Sequence, residues 1–143
     1  MKLDPEIKEE FVSEVKLISK ELNIELQKII ETKLESTQHF TNFGQKVDRI
    51  YGTCTTLGFM EIGKYLLSIK DLSYMAGDSE NRRGHEKAFR LLVSCLKYLE
   101  EVPRVIESEE AMDKIRFNMN LDAKKVDVIN RKEFFSITKK SCD

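Results

Sequence analysis

Few residues in this chain could do covalent chemistry. His39 and His85 are the two histidines, far apart in sequence and each near a predicted helix start. No carboxylate is spaced to orient either of them, so they make a poor metal site. The three cysteines, Cys54, Cys95 and Cys142, have no metal-type spacing, and their count is odd. Cys54 and Cys95 fall on apolar helical stripes and read as buried free thiols in a reducing compartment, with a disulfide between them as the alternative. No paired carboxylates, nucleophile–base pair or glycine-rich phosphate loop appears, so an enzyme is not expected, and no cofactor or metal is implied. The chemistry left is that of contact. Asp48, Tyr51, Gly52 and Thr55 gather at about 100° per residue on one side of a helix. Glycine inside a helix costs about 1 kcal/mol relative to alanine. Gly52 on an outer face therefore suggests a point that something must approach closely.

The element that positions these four residues is the stretch 40–57. Its apolar residues Phe40, Phe43, Val47, Ile50, Cys54 and Leu57 recur at steps of three and four, the mark of an amphipathic helix buried along that seam. It reads as a helix over about 39–56, ended by Leu57-Gly58, with Gly58 suited to a left-handed C-terminal position. Ser36 or Thr37 could cap its start. Before it, Asp4 as N-cap, Pro5 and the acidic Glu6, Glu9 and Glu10 open a first helix of about 5–32. Its stripe is Phe11, Val15, Ile18, Leu22, Leu26 and Ile29, with Asn23 a candidate bend. A third helix, about 60–75, buries Ile62, Leu66, Ile69 and Leu72. A turn-rich loop is expected at 76–84, then a fourth helix at about 85–101 limited by Pro103.

Four apolar-striped segments joined by short connections predict an all-α, antiparallel four-helix bundle over residues 1–103. Residues 104–143 form a C-terminal extension. Ser108, Glu109, Glu110, Ala111, Ile115 and Met119 suggest a short fifth helix there. Phe134 and Phe135 among lysines are either a partner-binding arm or a tail that packs back. The composition, 41% apolar and 34% charged with net charge −1, suits a helical protein with no global field for nucleic acid or acidic lipid. The charged first residues have no apolar run, and no stretch reaches the roughly 20 apolar residues a bilayer requires. A cytoplasmic location is expected.

The run Val47-Asp48-Arg49-Ile50-Tyr51-Gly52-Thr53-Cys54-Thr55-Thr56-Leu57-Gly58 resembles the signature of histidine-phosphotransfer (HPt) domains. In that family a small or apolar residue precedes the phospho-accepting histidine. A lysine and a glycine follow three and four positions on, and a Leu-Gly pair closes the helix. Gly52 matches the glycine and Leu57-Gly58 the closing pair. Ile62, Leu66 and Ile69 match the apolar positions of the next helix, and Phe11 with Glu14 resembles the first-helix opening. The resemblance covers roughly residues 5–102. Three positions depart from it: Asp48 stands at the histidine, Tyr51 at the lysine, and Lys70 where an acidic residue is common. A carboxylate accepts phosphate in receiver domains with the help of a bound divalent metal and a lysine, and neither is visible near Asp48 in sequence. The resemblance thus implies a degenerate member, a signalling module that binds a receiver-like or kinase-associated protein through Asp48, Tyr51, Gly52 and Thr55 without carrying phosphate. The alternative is a helical adaptor or oligomerisation unit unrelated to phosphorelay, supported by the long first helix and the Phe134-Phe135 tail. Oligomeric state is open. Arg82, Arg83 and Arg90 could form a small anion-binding patch or be solvated loop charges.

Overall fold

A computed structural model of the chain describes residues 3–135. Five helices account for nearly all of them: α1 (Pro5–Glu31), α2 (Thr37–Thr56), α3 (Met60–Gly77), α4 (Arg82–Val105) and α5 (Glu109–Lys132). The all-α expectation holds, with no strand among the described residues. The expected short fifth helix is instead 24 residues long, as long as α4.

Local chemistry sets most helix ends. The Asp4 carboxylate accepts from the Glu6 N–H at 2.9 Å, and Pro5 takes the first helical position. α1 then runs unbroken through Asn23. α2 closes as the Leu-Gly pair predicts. Gly58 has φ +85°, the Phe59 N–H donates to the Cys54 carbonyl at 2.8 Å, and the Gly58 N–H donates to the Thr55 carbonyl at 3.2 Å. This is a Schellman closure, which needs the left-handed residue that glycine supplies.

The predicted loop at 76–84 is shorter in fact. Ala76 is fully buried and keeps α3 going to Gly77, while Asn81 caps α4 by accepting from the Gly84 N–H at 3.1 Å. Gly84 is a packing residue rather than a turn residue, because a Cβ there would overlap the Phe134 ring. Pro103 does not limit α4, which continues two residues beyond it. The missing N–H costs one bond in the last turn, and continuing the helix past it carries Ile106 into the core. The expected boundary between residues 103 and 104 therefore falls inside α4, and α5 packs its Met112, Ile115, Met119 and Val126 into the same hydrophobic cluster as α1–α4.

Successive helices run antiparallel. α1 lies against α2 and α4, α3 against α2, α4 and α5, and α5 along the groove between α3 and α4. On α2 the predicted seam is inward, with Phe40, Phe43, Val47, Ile50 and Cys54 fully buried. Leu57 is only half-buried. Phe59, two residues on, is buried instead, edge-to-face on Phe11 with ring centroids 5.0 Å apart. The α2–α3 contact is unusually close. A Cβ at Gly44 would meet the Ser73 Cβ and the Tyr74 ring at 2.9 Å, and one at Gly63 would meet Thr55 Cγ2 at 3.2 Å.

Candidate functional site: the α2–α3 face

The four residues singled out on α2 share one side of the helix but differ in exposure. Asp48 and Gly52 are exposed, whereas Tyr51 and Thr55 are half-buried. Both were expected in the open. The difference comes from α3, which approaches so closely at Gly63 that it covers part of the Tyr51 ring and the Thr55 methyl. Thr55 and Thr56 turn their hydroxyls back and donate to the Gly52 carbonyl, each at 2.9 Å.

Gly52 is the informative position. A Cβ built there meets nothing within 4 Å, while Gly44, Gly63, Gly77 and Gly84 are all glycines because a neighbour occupies the space. No contact among the described residues explains Gly52, and its helical backbone needs no glycine freedom.

α3 supplies what the sequence reading missed. Lys70 Nζ lies 3.1 Å from Asp48 Oδ1 and 6.0 Å from the ring centroids of both Tyr51 and Tyr74. The hydrogen bond to Asp48 raises the Lys70 ammonium above its ordinary value. A lysine does stand beside Asp48, contrary to the sequence expectation, and it comes from the next helix instead of the next turn. Leu67, 37% exposed, precedes Lys70 by three residues, and Tyr74 follows by four. This outward row was legible as a helical repeat, but only the pairing of α2 with α3 places it beside Asp48. The face thus holds one ion pair, two tyrosine rings, an apolar residue and a bare helix backbone.

The other candidates are structural. His39 Nδ1 lies 3.1 Å from the buried carboxylate of Glu25, the partner that sequence spacing did not reveal. His85 is buried, stacks on Phe40 with centroids 4.9 Å apart, and donates from Nε2 to the Ala76 and Ser79 carbonyls at 2.9 and 2.8 Å. It ties the last turn of α3 to the loop that follows, adding to the bond that the Ala76 carbonyl already accepts from the Ser79 N–H at 3.2 Å. Cys54 and Cys95 are buried free thiols, each pushed up to about 12 by burial. Cys142 lies outside the described residues. Arg82 pairs with Glu35 and Glu86, and Arg83 with Glu133, so neither is a spare anion ligand. Phe134 packs back at Gly84, whereas Phe135 is 81% exposed. No group of three or more His, Cys, Asp or Glu side chains among the described residues could hold a metal ion.

Family models, curated proteins and solved structures yield no match to this chain.

Proposed function

We propose that this chain is a non-enzymatic interaction module on a histidine-phosphotransfer-like scaffold. In this reading α1–α4 supply a four-helix core and α5 is an addition to it. The α2–α3 face docks a receiver-like or kinase-associated protein in the cytoplasm without accepting phosphate. The observation that carries this is Gly52, a helix-interior glycine with open space over it, on the same side of α2 as Tyr51 and the Asp48–Lys70 pair, with the Tyr74 ring beside Lys70. Aromatic residues around a bare contact point are what protein-binding hot spots use. No helix among the described residues is long and apolar enough to cross a membrane.

The chemistry at Asp48 fits docking better than relay. A phosphorelay helix offers an imidazole nitrogen that can take a phosphoryl group and release it. Asp48 offers a carboxylate already engaged by Lys70. The pair instead fixes the orientation of both side chains and presents adjacent charges of opposite sign to a partner. The effect on signalling is steric: a receiver held here cannot meet another phosphodonor.

The test uses receiver domains from the same organism, charged with labelled acetyl phosphate. The expected result is binding without label transfer, and loss of binding in Gly52→Arg with little change in melting temperature. Label on the chain would overturn the non-relay reading. A Gly52→Arg variant that binds as well as wild type would exclude this face.

A further inference from the structure

We propose that the outer side of α5 is a self-association surface that pairs two copies of this chain antiparallel about Leu121. α5 has two apolar sides. Its inner stripe of Met112, Ile115, Met119 and Val126 is buried on α3 and α4. Diametrically opposite, Phe117, Leu121 and Val128 are 64%, 42% and 41% exposed. An aromatic and two aliphatics in line on a charged helix mark an interaction surface better than scattered exposed residues do.

The outer row continues past the apolar residues in both directions. Glu110, Lys114 and Lys124 complete, with Arg131, a seven-position seam at steps of four, three, four, three, four and three. All seven positions are exposed. That spacing is the knobs-into-holes seam of paired helices. Leu121 is its middle position, so an antiparallel copy meets it symmetrically. Leu121 faces its own counterpart, and Phe117 faces the stem of Lys124 in the other copy. Lys114 lays its stem along Val128, and Glu110 meets Arg131. The acidic start and basic end of α5 make the seam self-complementary under a two-fold axis, as an isologous contact requires. A shallow depression of about 400 Å³ beside Phe117, edged by Glu110 and Lys114, offers room for the opposing lysine stem.

α1 also exposes four aliphatics, Ile7, Leu17, Ile24 and Ile30, of which only Leu17 and Ile24 share a row. Its row continues to Ser13 and Glu31, which gives no such complementarity, so the second copy is assigned to α5. α2 and α5 make no contact. The dimer therefore leaves the α2–α3 face of each copy open, and the pairing stands or falls independently of the docking proposal.

The experiment is sedimentation equilibrium on the full chain across low- to high-micromolar concentrations, with circular dichroism as the folding control. Wild type should reach twice the 16.7 kDa chain mass. Leu121→Lys should stay at the single-chain mass with the same melting temperature. Glu110→Arg and Arg131→Glu should each weaken association about tenfold, since two ion pairs per dimer turn repulsive, and the double variant Glu110→Arg/Arg131→Glu should restore it. Leu121→Cys in a Cys142→Ser background should oxidise to a covalent dimer. Wild type that remains at single-chain mass throughout overturns the proposal. So does a dimer indifferent to Leu121→Lys, which would place the contact elsewhere, or a charge swap that fails to restore association.

Discussion

The two long interfaces of this molecule are built on different principles. Between α2 and α3 the helices meet backbone to side chain, with Gly44, Gly63 and Gly77 each leaving room for an atom of the facing helix. Between α5 and its supports the contact is made by long side chains and carries polar groups. Tyr98 donates to the buried Asp122 carboxylate at 3.0 Å, the buried Tyr65 hydroxyl lies against the Cys95 thiol, and the buried Asn130 Oδ1 has no hydrogen-bond partner among the described residues. The first interface tolerates no added volume. The second depends on a few polar atoms being satisfied or protonated. A surface held by α2 and α3 is accordingly rigid, whereas α5 is held by contacts that chemistry can weaken.

The alkaline response should separate the two most widely. Burial pushes Cys95 and Tyr98 up to about 12 and raises Tyr65 well above its ordinary value, all around the α4–α5 contact, while the α2 seam contributes Cys54 alone. Each folded value is raised above the unfolded one, so each group's contribution is complete below about pH 9–10 and is lost as pH rises toward about 12. Melting temperature should fall across that window. The fall should become shallower by one group's share in Cys54→Ala and in Cys95→Ala alike, and by more in the double variant Cys95→Ala/Tyr98→Phe; a double variant no shallower than Cys54→Ala would erase the distinction. Next in size, Gly44→Ala forces a Cβ against Ser73 and Tyr74 and should cost about 1–3 kcal/mol in urea unfolding, as overpacking does. At neutral pH, Tyr98→Phe removes one hydroxyl and leaves Asp122 with only Lys125 at 3.7 Å, a loss of about 1–2 kcal/mol in the same measurement. Smallest and opposite in sign, Gly52→Ala should stabilise by up to about 1 kcal/mol, since the site is open and alanine is the better helix former. A loss there would mean that Gly52 has a packing role after all.

Much of the fold was readable because core burial on a helix leaves a periodic trace. The seams of α1 and α2 are inward at nearly every position named from sequence. α5 was cut short because its inner stripe is broken by Asp122 and Asn130, which look like surface residues until Tyr98 is seen across from Asp122. Pro103 misled because its usual meaning is the interior cost of a lost N–H, and the last turn of a helix escapes most of it. At the candidate site, Asp48, Tyr51, Gly52 and Thr55 do share a side of α2. What spacing within one helix could not supply was the neighbour: Lys70, Leu67 and Tyr74 belong to α3, and their register against α2 is set by the glycines between them. The same holds for Glu25 and His39, 14 residues apart and joined only by the α1–α2 turn.

One detail of α2 bears on what a partner would find there. The Gly52 carbonyl already receives two threonine hydroxyls besides its place in the helix ladder. Bare helix backbone normally draws water to such an oxygen, and a partner must strip that water away before contact. Here the acceptor is saturated from within the chain, so the strip over Gly52 is a dry ledge in an otherwise wet surface. Covering the Gly52 carbonyl forfeits little hydrogen bonding, and the largest cost of desolvation falls on the charged Asp48–Lys70 pair. A binder of this face would gain affinity from shape at the ledge and lose it from mismatched charge one turn away.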